Sequence, residues 1–175
     1  MIIKQEEKIM PTILFDDGFT QKEKTILTKT FKSNCKHLGI TERDCTVAVR
    51  RANIGPKNHL GSMGCLTSDY FMVVLNANGF NLFEGISVLG HETTHIAQYL
   101  RGDLSDVQEQ EGGCNWCGQY FPKFICTSDV AYKDLPWERE AFELQPKLHK
   151  HSIDALERHE VGYVLDVSRF AFEER

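Results

Sequence analysis

Residues 90–101, GHETTHIAQYLR, set His91, Glu92 and His95 in the spacing H-E-x-x-H, and the reading of the chain turns on them. On an α-helix a step of four residues returns to nearly the same face. Both imidazoles therefore reach one point, while Glu92 stands about 100° round the helix from His91. Two neutral nitrogen donors beside a carboxylate are what a hydrolase needs to hold zinc and to take a proton from water. The flanking residues suit a helix buried beside a dry site: Thr93 and Thr94 are uncharged, and Val88, Leu89 and Ile96 are apolar. With His91 at zero on a helical wheel, His95 falls at about 40° and Val88 at about 60°, whereas Leu89, Ile96 and Leu100 gather between about 140° and 180°. One face carries ligands and the other meets a core. The bare pattern fixes only three positions, and the competing reading is an amphipathic helix with ordinary half-buried histidines.

Working outward, Tyr70–Asn76 (YFMVVLN) reads as a strand, with a turn at Asn78 and Gly79 that delivers the chain to the metal helix. Asn81 caps that helix with Glu84 three residues on, and Gly102 ends it. Its internal glycines, Gly85 and Gly90, each cost about 1 kcal/mol relative to alanine. Gly90 is either a tolerated weakness or room for a strand or substrate beside the metal. Further back, Thr12–Phe15 reads as a strand closed by Asp16, Asp17 and Gly18, and Thr20 with Glu23 opens an amphipathic helix through Ile26, Leu27, Phe31, Cys35 and Leu38 that stops at Gly39. Residues 45–51 alternate as a strand. Residues 52–69 hold Gly55, Pro56, Gly61 and Gly64, and read as a loop with a short strand near Cys65 and Leu66, a candidate place for function.

Downstream, residues 103–132 are turn-rich and aromatic, as in one or two hairpins. Asp134, Leu135 and Pro136 start a helix, with Trp137, Ala141 and Leu144 recurring along it, and Pro146 is expected to end or kink it. Residues 152–159 read as a last helix, and 163–175 as a tail whose Tyr163, Phe170 and Phe172 suggest docking. A catalytic zinc generally takes a third protein ligand. The candidates are Glu138, Glu140, Glu143, His149 and His151. Glu138 is the choice, because the first turn of a helix favours its carboxylate and Ala141 offers a small face toward the metal helix. Glu140 points about 200° away, so it is the alternative rather than a companion. Tyr132, His149, His151 and Tyr163 are available to stabilise an oxyanion, and Gln98 to orient a ligand or contact substrate.

At 175 residues the chain is expected to form one domain, 1–175, that needs no disulfide framework. A net charge of −5 with no basic stripe disfavours nucleic acid. No apolar run is long enough for a membrane span, and the opening MIIKQEEKIMPTILF lacks the form of a signal peptide, so a cytoplasmic location is expected. The six cysteines are irregularly spaced. Cys114 and Cys117, with Cys126 following, raise a second, structural zinc or a redox disulfide. One C-x-x-C pair supplies only half of a four-ligand site, and Cys45, Cys65 or His59 would have to complete it, so plain thiols are the preferred reading.

The metal helix and a later glutamate-bearing helix together resemble the gluzincin branch of zinc metallopeptidases. More narrowly, HETTHIAQYLRGDL, NWCGQYF and YKDLPWEREAFE are similar to small HExxH proteins of bacteriophages and prophages. The resemblance covers residues 89–143 and implies an α+β, zincin-like fold: a supporting helix, a small mixed or antiparallel sheet, the metal helix beneath it and a ligand-bearing helix after it. It also implies one zinc held by His91, His95 and Glu138, with Glu92 taking the water proton and passing it to the leaving amine of a peptide substrate. In such folds the strand before the metal helix runs along the cleft, so Tyr70–Asn76 is where an extended peptide is expected to pair. The chain departs from the gluzincin pattern at Phe142, four residues after Glu138, where that pattern has an acid to support a histidine ligand. The other functional readings are a non-catalytic metal-binding protein acting through a partner, and a zinc hydrolase of a non-peptide amide such as a cell-wall component.

Overall fold

The computed structural model describes residues 10–56, 59–107, 112–126 and 132–158, so the tail read at 163–175, Tyr163 included, lies outside the described residues. In chain order the elements are β1 (Thr12–Phe15), α1 (Gln21–His37), β2 (Thr46–Ala52), β3 (Gly61–Thr67), β4 (Tyr70–Asn76), α2 (Leu82–Arg101), β5 (Leu104–Asp106), β6 (Gly113–Trp116), β7 (Gln119–Pro122), the single turn α3 (Lys123–Cys126), a 3-10 turn (Tyr132–Asp134) and α4 (Pro136–Arg158). The fold is α+β and zincin-like. A four-stranded sheet in the order β1-β2-β4-β3 is parallel except for antiparallel β3, and a separate three-stranded sheet runs β5-β6-β7.

Local chemistry accounts for the element ends. The Thr20–Glu23 capping box is formed in full, with Glu23 N–H donating to Thr20 Oγ1 and Thr20 N–H donating to Glu23 Oε2. Asn81 accepts from Glu84 N–H at 2.8 Å to start α2, and Gly102, at φ +79°, ends it in the left-handed conformation that a side chain would disfavour.

The core lies between the sheet and the helices. Val47 and Val49 of β2 and Phe71, Val73 and Leu75 of β4 meet Ile26, Leu27 and Phe31 of α1 and Ile86, Leu89 and Ile96 of α2 in one cluster. Each such side chain contributes about 1.5–3 kcal/mol when fully buried. The opposite face of the sheet is uncovered among the described residues, with Leu14 and Leu66 about half exposed. Helix α2 is buried on nearly all sides from Gly85 to Gln98, since α1, α4 and the sheet surround it. That enclosure explains the uncharged Thr93 and Thr94, whose hydroxyls donate to the Leu89 and Gly90 carbonyls of their own helix and so leave no buried donor unpaired.

Four expectations are corrected. Residues 152–159 are not a separate helix, because α4 runs unbroken from Pro136 to Arg158 with Pro146 inside it. The proline sits on the exposed side, where water can satisfy the carbonyl it leaves unbonded, while Leu148, Ser152 and Leu156 hold the opposite face in the core. Gly90 makes room for α4 rather than for a strand or substrate: a Cβ there would lie 3.3 Å from Leu148 Cβ. Residues 61–67 form a full seven-residue strand, not a loop with a short one.

The fourth correction moves the edge. Tyr70–Asn76 is central, paired on one side to β2 and on the other to β3, so the edge strand is β3. Asn76 N–H donates to Leu60 O at 3.0 Å, which fixes the alternation: Ser62 and Gly64 turn their peptide groups toward β4, and Gly61 and Met63 turn theirs to the free edge. Because Leu148 fills the crossing of α2 and α4, Leu148→Ala should lower the unfolding free energy by about 2–5 kcal/mol in a urea titration.

Candidate metal centre

Helix α2 presents His91 and His95 one turn apart, and the first turn of α4 brings Glu138 against them. His91 Nε2 lies 3.1 Å from His95 Nε2, and the carboxylate oxygens of Glu138 lie 3.2 Å from His91 Nε2 and 3.4 Å from His95 Nε2. Zinc with tetrahedral bonds of 2.0–2.2 Å separates its ligand atoms by about 3.3–3.6 Å, so the three groups stand within a few tenths of an ångström of the spacing one ion needs. All three residues are buried, and Glu138 Oε2 completes no hydrogen bond among the described residues although it points at the histidines. Two imidazole nitrogens and an orphaned carboxylate oxygen converging on one point are a donor set that a cation completes. His91, His95 and Glu138 thus form a zinc-binding triad, and among the described residues no other group of three or more His, Cys, Asp or Glu side chains converges in this way.

The charges respond to one another. Burial raises the Glu138 pKa, but the adjacent His91 and His95 rings and the Tyr132 hydroxyl outweigh it and bring the carboxyl down to about 2. Burial pulls the His95 imidazolium down, yet Glu138 and Glu92 reverse the direction and raise it. Burial pushes the Glu92 carboxyl up, only partly countered by His95 and His91.

Glu140, the alternative ligand, faces away and accepts from Arg101 at 2.9 and 3.1 Å and from Gln98 at 3.0 Å. Of the residues considered for an oxyanion, Tyr132 lines the cleft with its hydroxyl near enough to Glu138 to help lower that carboxyl's pKa, whereas His149 packs edge-on against Phe83 and His151 at a tilt against His37, and neither lines the cleft. Gln98 is fully buried and bonds His95 Nδ1, not substrate.

The triad opens into a cleft of about 450 Å³. Gly61, Ser62 and Met63 of the β3 edge form one wall, Tyr99, Leu104 and Trp137 the other, and Phe142 and Gln145 close the α4 side. Gly61 is required here: a Cβ at this position would lie 2.4 Å from Val88 Cγ1 and 3.4 Å from Glu92 Oε1, so only glycine lets the edge strand pass this close to the glutamate.

His59, weighed in the sequence only as a ligand to complete a second zinc, lines the cleft from a loop pinned by Asn76, whose side-chain amide donates to the carbonyls of Gly55, Pro56 and His59. The only available signal was a histidine in a glycine- and proline-rich loop. Cys114 is buried on β6 and Cys117 is exposed in the following turn. The side chain of Cys126 lies outside the described residues. No helix among the described residues is long and apolar enough to cross a membrane. Comparisons of the chain with protein-family models, curated proteins and solved structures gave no match, so the assignment rests on the site's geometry.

Two outcomes follow for metal and pH. Glu138→Ala should abolish zinc binding measured by metal analysis while Glu140→Ala retains it; the reverse would place the third ligand on Glu140. In zinc-free protein the depressed Glu138 carboxyl contributes stability that is present above its ordinary pKa of 4.5 and is lost as pH falls through about 2. The stability difference between wild type and Glu138→Gln should therefore shrink across that window in acid titrations.

Proposed function

We propose that the protein is a zinc-dependent peptidase in which Glu92 is the general base. The observation that supports this most directly is the free edge of β3 passing Glu92 at Gly61. An edge strand offers alternating N–H and C=O groups with which an extended peptide can pair, and Gly61 and Met63 carry those groups beside the triad. A bond held there lies within reach of both Glu92 and the metal ligands. Bound zinc supplies a Lewis acid that polarises a carbonyl and makes water acidic enough to deprotonate near neutral pH.

The protein's own residues supply the remainder. Glu92, buried beside the histidines, accepts the proton of the attacking water and returns it to the leaving amine. Its raised pKa suits both roles, since a carboxyl of ordinary acidity is a weaker base toward water. Tyr132, held against Glu138 at the cleft wall, has a hydroxyl positioned to donate to oxygen that gains charge on a substrate carbonyl. The apolar lining of Met63, Val88, Trp137 and Phe142 excludes water around the reacting bond and strengthens these interactions.

Zinc-loaded protein incubated with an unfolded protein substrate, with the products read by mass spectrometry, tests the proposal. Glu92→Gln should keep its zinc and lose about 10²- to 10⁴-fold in cleavage rate. Cleavage that persists in this variant, with zinc bound, would refute Glu92 as the base.

A further inference from the structure

We propose that Gln98 is a positioning residue of the metal centre, a single side-chain amide that fixes the ring of His95 and ties it to the helix carrying Glu138. The proposal deepens the proposed function and rests on its metal centre, not on its substrate. Gln98 is fully buried, and three contacts at its amide determine which end points where. One end lies 2.9 Å from the Trp137 carbonyl and 3.0 Å from Glu140 Oε2. Both are acceptors, and the Glu140 carboxylate also accepts from the Arg101 guanidinium on its two oxygens. The NH₂ group must face them, because an amide oxygen there would meet two acceptors at hydrogen-bond distance.

That leaves Gln98 Oε1 at 2.8 Å from His95 Nδ1. An amide oxygen only accepts, so Nδ1 carries the hydrogen and Nε2 is left with its lone pair directed at His91 and Glu138. The tautomer needed for metal ligation is thus set by an amide whose own orientation is set by α4. Trp137, whose carbonyl anchors the amide, immediately precedes Glu138. One side chain therefore relates a ligand on α2 to a ligand on α4.

The other histidine lacks this support. His91 Nδ1 has no hydrogen-bond partner among the described residues, and the ring packs on Phe142 with centroids 4.7 Å apart. Phe142 is the position at which the gluzincin pattern has an acid. In this chain the outer support comes from α2 itself, three residues past His95, and runs through Gln98 and Glu140 to Arg101 and Asp103 at the surface.

The test uses full-length protein, titrated with zinc against a competing chelator and substituted with cobalt(II) for proton NMR of ring N–H groups. Outer partners of a metal-bound histidine are worth about 10- to 100-fold in affinity, and Gln98→Leu should weaken zinc binding by that factor. Ser87→Ala, which removes the α2–α4 hydrogen bond to Gln145 without touching Gln98 or His95, should bind zinc close to wild type. In the cobalt protein the His95 N–H signal should be protected from solvent exchange in wild type and lost in Gln98→Leu. Wild-type zinc affinity in Gln98→Leu, or an equal loss in Ser87→Ala, would overturn the proposal by showing no effect or a general helix clamp. Should Gln98→Leu fail to fold, wild-type cobalt protein without a protected His95 N–H would overturn it equally. Zinc binding with these signatures but no peptide cleavage would remove the peptidase reading and leave the positioning role standing.

Discussion

The structure depends on bringing three metal-seeking atoms together in a buried space. Two imidazole nitrogens 3.1 Å apart and a carboxylate at 3.2–3.4 Å are costly to desolvate. Much of the surrounding architecture secures their approach. Gly90 lets α4 lie close against α2 at Leu148, which sets the crossing that presents Glu138 to the histidines. Burial of α2 by α1, α4 and the sheet removes water from the ligands, and the two threonines between them satisfy their hydroxyls within the helix.

The substrate side of the centre is built by a different constraint. A strand edge is ordinarily a hazard, since its unpaired peptide groups invite other chains. Here β3 leaves such an edge beside Glu92, short, broken by an irregularity between Cys65 and Thr67, and walled by the cleft. The same glycine that weakens the strand admits it to the site. What reads in isolation as poor strand chemistry is the condition for close approach to the base.

Much of this was legible in the sequence because it follows from local periodicity. The i, i+4 histidines, the caps at Thr20, Asn81 and Gly102, and the alternation of Tyr70–Asn76 all depend on neighbours along the chain. Glu138 was legible for a related reason, as the first-turn acid of a helix announced by Pro136, and its separation of about 200° from Glu140 made the choice exclusive. The errors came where partners distant in sequence override local preference. Pro146 is tolerated because the rest of α4 has a face to bury. The glycines of β3 are tolerated because β4 pairs with it and α2 lies beneath. A buried central strand and a cleft edge look alike when only one strand is read at a time, so the edge was assigned, as the resemblance implies, to the strand that precedes the metal helix. The roles of Gln98 and Glu140 depend on the crossing of two helices, which no linear spacing encodes.

The outcome is a centre with unequal histidines, His95 held by an amide network and His91 by packing, served by a buried glutamate and opened on one side to a strand edge. Its central claim is that one ion is bound by two histidines and one carboxylate. X-ray absorption spectroscopy of the zinc-loaded protein addresses that claim most directly. The account predicts one zinc per chain, surrounded only by nitrogen and oxygen at about 2.0–2.2 Å, with the scattering pattern of two imidazoles. A shell of sulfur at about 2.3 Å, which would place the ion on cysteines, would contradict it.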